Sequence, residues 1–123
     1  MSVRWKVEFH EEFLPEFQEF SGPVRRQVYS LIETLAMFGP QLGRPHVDTL
    51  KGSKQPNLKE LRLRADSGAW RVAFAFDAKR QAILLVGGDK SGVSQSKFYR
   101  NLIEIAERRL HQHQTSLAKG KGK

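Results

Sequence analysis

The sequence predicts an α+β fold in a single compact domain, with helices packed on a twisted, mainly antiparallel sheet in the order β-α-α-β-β-β-α. Three observations predict it. Apolar residues alternate with polar ones over 4–9, 58–64 and 70–76, the period-two pattern of half-buried strands. Residues 24–38 carry an apolar stripe at helical spacing instead. The chain has 123 residues and no internal repeat, which fits one domain on a scale of roughly 100–200 residues each.

The elements follow in order. Trp5, Val7 and Phe9 share one face of the first strand. Phe13, Phe17 and Phe20 mark a short helix, because Pro15 is tolerated only in a first turn. Acidic residues crowd its start, where the helix dipole is positive. Ser21 or Gly22 caps a second helix with Pro23 in its first turn. Its stripe is Val24, Val28, Leu31, Leu35 and Phe38, and Gly39-Pro40 ends it. The two helices are expected to form an antiparallel hairpin.

Residues 40–57 read as loop, punctuated by Gly and Pro. Leu58–Arg64 then alternates, with Leu61 and Leu63 on one face and Glu60, Arg62 and Arg64 on the other. A turn at Asp66-Ser67-Gly68 leads to Trp70–Phe76, where Arg71, Ala73 and Ala75 oppose the large side chains. Gln81–Gly87 completes an antiparallel meander, followed by a flexible loop over Gly87–Gly92. The last helix runs from about Ser94 to His111 and buries Phe98, Leu102, Ile105, Ala106 and Leu110. The domain is thus 1–113, and 114–123 is a basic, disordered tail ending in Lys119, Lys121 and Lys123.

Composition narrows the function. The chain has no cysteine, which excludes a disulfide scaffold, Cys-ligated zinc and a thiol nucleophile. No apolar run has the length of a membrane span and the N-terminus lacks a signal-peptide apolar region, so the expected location is the cytoplasm. Net charge is +8. Residues 1–22 carry −3, 23–43 carry +1, 44–100 carry +7 and 101–123 carry +3. The basic excess therefore lies in the middle of the domain, and it predicts a polyanionic partner.

Arg62, Arg64 and Arg71 come together across a short hairpin. They are either solvated strand faces or a phosphate clamp, since guanidinium donates two hydrogen bonds in a geometry that fits phosphate oxygens. Ala73 and Ala75 leave space on that face. Lys51, Lys54, Lys59 and Lys90 in adjoining segments are expected to add positive charge that acids do not balance. Lys97 and Arg100 flank Phe98 and Tyr99, an aromatic pair on which bases could stack. The stripe assigns Phe98 to the core and leaves Tyr99 available. Other constellations fail: Gly87-Gly88-Asp89-Lys90-Ser91 lacks P-loop spacing, and His111 and His113 are not spaced as paired ligands on one helix face. His46 stands alone as a loop histidine.

The segment Leu58-Lys59-Glu60-Leu61-Arg62-Leu63-Arg64, then Trp70-Arg71-Val72, Val86-Gly87-Gly88-Asp89-Lys90 and Lys97-Phe98-Tyr99-Arg100, resembles the RelE/ParE toxin superfamily, in its phage-derived, HigB-like branch. The resemblance spans residues 3–112. It implies a type II toxin that cleaves mRNA on the translating ribosome by 2′-hydroxyl attack, with no metal or other cofactor. It implies as partners the ribosome, mRNA and a cognate helix-turn-helix antitoxin, and no membrane. Carried over by position, the family's working groups fall on Arg62, Arg71, Lys90 and Tyr99. The sequence departs from the family at Glu60, where some relatives have lysine; its strand parity with Arg62 makes it a candidate base. Of the histidines HigB-like relatives use, His46 is the one candidate counterpart. Lys51, Lys54, Lys59, Arg64, Lys97 and Arg100 are the expected nucleic-acid contacts. The same fold also serves gyrase poisons, and a non-catalytic basic binding module is a third reading.

Overall fold

Residues 4–120 are described by a computed structural model. The chain runs β1 (Lys6–Phe9), α1 (Phe13–Gln18), α2 (Gly22–Phe38), a 3-10 turn (Gly39–Gln41), β2 (Val47–Thr49), β3 (Leu58–Ala65), β4 (Gly68–Phe76), β5 (Gln81–Asp89) and α3 (Gln95–Ala118). The five strands form one sheet in the order β1-β5-β4-β3-β2. β1 pairs parallel with β5, and all other neighbours are antiparallel. The α+β expectation and the meander therefore hold.

Strand parity divides the core in two. Leu61 and Leu63 of β3, Val72 and Phe74 of β4, and Ala82 and Leu84 of β5 face α1 and α2. There they meet Phe13, Phe17, Val24, Val28, Leu31 and Leu35. Full burial of a side chain such as Phe13 or Phe17 is worth about 1.5–3 kcal/mol each. Ser21 caps α2 by accepting from the Val24 amide, and Gly39 ends it at φ 59°, in the left-handed region where a Cβ is unfavourable. On the opposite face Leu58, Ala73, Ala75, Ile83, Leu85 and Val86 pack under Leu102, Ala106 and Leu110 of α3. Leu85 has no partner on β4, because the register slips between Ala73 and Phe74. This bulge lets Leu85 and Val86 both face α3.

Several expectations need correcting. The 40–57 segment is not all loop: Val47–Thr49 forms an edge strand, with Val47 buried in the α2-side core. Phe38 leaves the stripe and is 53% exposed, because Ala36 takes the last buried place on α2. β5 continues through Gly87 and Gly88 to Asp89, so the loop begins only at Lys90. α3 continues to Ala118, since Thr115, Ser116 and Leu117 are partly buried, and residues 114–118 thus belong to the helix. Lys121 and Lys123 lie outside the described residues. The space above Ala73 and Ala75 is not open either: α3 fills it.

One contact joins the two sides. Arg109 is 4% exposed, and donates from Nη1 to the Leu85 carbonyl (2.7 Å) and to Glu16 Oε1 (2.9 Å), and from Nη2 to Glu16 Oε2 (2.6 Å). Its guanidinium thereby satisfies the carbonyl at the bulge and fastens α1 to α3.

Candidate active site

α3 packs on β5 and β4, leaving the polar residues of β3 beside open space at the β2 edge. Within the β3–β4 hairpin Arg62 and Arg71 are direct partners, and Glu60 stands opposite Ala73. Because Glu60, Arg62 and Arg71 share strand parity with Leu58, Ala73 and Ala75, all project to the α3 side. The first turn of α3, capped by Ser94 accepting from the Lys97 amide, brings Tyr99 over them.

The result is a cluster centred on a carboxylate. Glu60 is 4% exposed. Its Oε2 accepts from Arg62 Nη1 at 2.8 Å, and its Oε1 accepts from the Tyr99 hydroxyl at 2.8 Å. Arg71 Nε lies 3.8 Å from the same Oε1, too far for a hydrogen bond but close enough for strong attraction inside the protein. Arg71 is 7% exposed and is held by a bond from Nη1 to the Trp70 carbonyl. Burial, reinforced by the Glu60 carboxylate and opposed by Arg71, pushes the Tyr99 phenol above its ordinary value. Tyr99 therefore stays a proton donor through the neutral range.

This cluster opens into a cleft of about 590 Å³ lined by Arg44, Asp48, Thr49, Lys51, Glu60, Arg62, Lys90, Gln95, Ser96 and Tyr99. Lys90 is placed by its neighbours. Asp89 Oδ1 accepts from the Ala69 amide and from the amide and hydroxyl of Ser91, while the Lys90 amide donates to the Ala69 carbonyl. The Ser91 bonds hold the Asp89 carboxyl below its usual range. A Cβ at Gly68 would sit 2.6 Å from Asp89 Oδ2, so the glycine makes this approach possible. The loop bearing Lys51 is fixed from α3, where Glu107 accepts from Ser53 Oγ (2.7 Å) and the Lys54 amide (2.8 Å).

Of the sequence-predicted residues, the fold brings Glu60, Arg62, Lys90, Tyr99 and Lys51 to one cleft, with Arg71 beneath Glu60. Arg64 lines an adjoining cleft with Arg62 and Arg71. Lys59 belongs elsewhere, because its parity matches Leu61 and turns it to the α2 face. Lys54, Lys97 and Arg100 are exposed outside the cleft, with Lys97 on an apolar groove beside Phe98. Phe98 and Tyr99 are both only partly buried, so the core does not claim Phe98 fully. The basic segments do have balancing acids, Asp48 on Arg44 (2.7 Å) and Glu60 on Arg62. Arg44, Asp48, Gln95 and Ser96 join the cleft without a sequence signal, because they sit in segments too short for strand or helix periodicity or at a helix end. Among the described residues no group of three or more His, Asp or Glu is placed to hold a metal.

Comparison with known proteins bears on the fold and the family. The profile of the family described as phage-derived protein Gp49-like matches residues 15–111. The protein of Mycobacterium tuberculosis named as toxin HigB3 is 50% identical over 100 residues, covering 78% of this chain and 85% of the relative. The one named as toxin HigB2, from the same organism, is 41% identical over 87 residues, 70% of this chain but 43% of that longer protein. Among solved structures, a mutant of E. coli toxin RelE in the free state superposes with a TM-score of 0.59 at 15% identity, over 82% of this chain and 95% of that one. RelE in the archaeal RelE–RelB complex of Pyrococcus horikoshii gives 0.53 at 18% identity, over 74% and 100%. These two establish likeness of fold, and the sequence matches establish kinship: this chain belongs to the Gp49-like phage-derived family, together with relatives named as HigB toxins.

Proposed function

We propose that this protein is the toxin of a toxin–antitoxin pair and that it cuts mRNA on the translating ribosome, in the cytoplasm, by attack of a ribose 2′-hydroxyl on the adjacent phosphodiester. The observation that carries the reading is the buried Glu60 carboxylate ringed by Arg62, Arg71 and Tyr99 beside an open basic cleft. Kinship with proteins named as toxins supports the class, and the RelE–RelB complex supports an antitoxin partner.

The chemistry needs a base, stabilisation of the pentavalent phosphate and an acid. Arginine cannot be the base, since its pKa stays above roughly 12. Glu60 takes the 2′-hydroxyl proton as the 2′-oxygen bonds to phosphorus. Arg62 and Arg71 stabilise the charge on the equatorial oxygens, a contribution of about 3–4 kcal/mol per lost donor in comparable sites. Tyr99 orients Glu60. Lys90 protonates the departing 5′-oxygen, leaving a 2′,3′-cyclic phosphate and a 5′-hydroxyl. The ground-state bonds of Glu60 to Arg62 and Tyr99 must loosen when a phosphate enters, which the open side of the cleft permits.

The test is to induce the protein in a bacterium, map mRNA 5′ ends and measure DNA supercoiling. New in-frame 5′ ends that depend on translation are the expected result. An SOS response with altered supercoiling and intact mRNA would indicate a gyrase poison and reject the reading.

A further inference from the structure

A second cleft of about 360 Å³ lies beside the first and is lined by Arg44, Pro45, His46, Arg62, Leu63, Arg64 and Arg71. Its lining holds four arginines, one histidine and no carboxylate, whereas the first cleft contains both Glu60 and Asp48. Arg44 and Arg62 line both clefts, so the two are continuous across these side chains.

Three features make this more than a basic surface. Arg44 is directed by Asp48, whose Oδ2 accepts from its Nε and Nη2 at 3.1 and 2.7 Å, which spends one edge of the guanidinium. Arg71 is almost wholly buried, and its Nε, attracted to Glu60 Oε1 at 3.8 Å, completes no hydrogen bond. A buried donor left unpaired is costly, and it is relieved when an acceptor arrives. Arg64, at the outer end of β3, is exposed and makes no ion pair among the described residues. Four guanidinium groups meet at this concavity, Asp48 on Arg44 and Glu60 between Arg62 and Arg71 balance only part of their charge, and an arriving anion balances the rest.

We propose that this arginine cleft is a second phosphate subsite, which holds the phosphodiester neighbouring the scissile one so that a single RNA strand crosses Arg62 from one cleft into the other. The inference rests on the RNA-cleaving reading above and adds to it Arg44, His46 and Arg64. Arg62, lining both clefts, sets the boundary between the two phosphates. Arg44, directed by Asp48, forms the outer wall, and Arg64 supplies the exposed donor. An acidic protein segment would also be attracted, but the uncommitted fork of Arg64 and the exposed imidazole of His46 suit a phosphate with a neighbouring base better than scattered carboxylates.

The experiment titrates the full-length protein with 2′-O-methyl RNAs, which cannot be cut, and follows binding by NMR. One probe is a dinucleotide with a single phosphodiester, the other a trinucleotide with two. The wild-type protein is expected to bind the trinucleotide about tenfold more tightly. Its log–log salt slope should be steeper by about 0.7, the value of one more phosphate on a single strand. Arg64→Gln, at an exposed position, should lose that advantage and bring the trinucleotide's slope down to the dinucleotide's. Lys79→Gln, in the distant β4–β5 turn, should keep it. Equal affinities of wild type for the two RNAs, or an Arg64→Gln protein that keeps the trinucleotide advantage, would overturn the subsite while leaving the first cleft standing. Failure of the wild type to bind either RNA would overturn the subsite, while the cleavage reading is decided separately by the mRNA 5′ ends mapped on translating ribosomes. If Arg64→Gln binds RNA as wild type does and loses the antitoxin instead, the cleft serves a protein partner and the proposal is wrong.

Discussion

Tyr99 donates its hydroxyl hydrogen to Glu60 Oε1 at 2.8 Å, so the first turn of α3 is joined to the middle of β3 across 39 positions of sequence. The bond sets the direction of the carboxylate and leaves Oε2 to Arg62. Burial and the Glu60 charge hold the Tyr99 phenol above its ordinary 10.0.

Removing this hydroxyl tests its role. Tyr99→Phe should lower the rate of ribosome-dependent cleavage about 10–100-fold while costing about 1.5–3 kcal/mol in denaturant unfolding, the value of a hydrogen bond to a charged group. Since the folded phenol titrates above the unfolded one, its stabilising contribution is complete below pH 10 and is lost as pH rises through the folded value. The wild-type melting temperature should therefore fall more steeply than that of Tyr99→Phe in that alkaline window. Full cleavage by Tyr99→Phe would remove the tyrosine from the site.

Arg71 is the clearer case for rate. Arg71→Ala should abolish growth inhibition, with single-turnover cleavage down about 10²–10³-fold. Arg71→Lys should restore little, because a point charge cannot replace a planar fork. Circular dichroism and a cooperative melt establish that each variant folds. Undiminished toxicity in a folded Arg71→Ala protein would contradict the assignment.

The pairing of Arg62 with Arg71 is legible in the amino-acid sequence, because alternation in 58–64 and 70–76 and a tight turn at 66–68 leave one register. Parity also contains the answer for Lys59, which shares its face with Leu61 and Leu63. The burial of Glu60 is not legible there, since no local pattern says that the first turn of α3 comes back to cover β3. Nor is β2, because three residues between Pro45 and Lys51 are too few to show alternation. Arg109 does leave a signal: it stands beside Leu110 and three residues from Ala106, a charge among buried positions of α3, and the surplus acids of α1 are its natural complement.

That complement predicts a stability effect separable from catalysis. In Arg109→Met the Leu85 carbonyl at the bulge loses its donor, whereas Glu16 and Glu12, with 46% and 44% of their side chains exposed, can return to water. The lost carbonyl bond thus outweighs the lost ion pair, and unfolding free energy should fall by about 2–3 kcal/mol. Glu16→Gln should cost under about 1 kcal/mol. Equal losses from the two variants would put the energy in the ion pair instead.

Acid sensitivity should come partly from His10. The ring is 7% exposed, its Nδ1 accepts from the Glu12 amide at 3.0 Å, and burial lowers its pKa from 6.5, with Glu12 opposing. A depressed folded value means that its contribution is present above pH 6.5 and is lost as pH falls through the folded pKa. His10→Asn keeps an acceptor for the amide and removes the titration. Its melting temperature should decline less than that of wild type as pH falls below 6.5. Parallel curves would place the acid sensitivity elsewhere.

The central claim, that the Glu60–Arg62–Arg71 cluster directs a ribose hydroxyl onto its neighbouring phosphate, is tested most directly on programmed ribosomes carrying an mRNA with one 2′-O-methyl at the cut ribose. The account predicts that this methyl group stops the cut, and that unmodified mRNA yields a 2′,3′-cyclic phosphate and a 5′-hydroxyl in wild type and about 10²–10³-fold more slowly in Glu60→Gln. Cleavage that persists through the methylated position, or that leaves a 3′-hydroxyl and a 5′-phosphate, would contradict it.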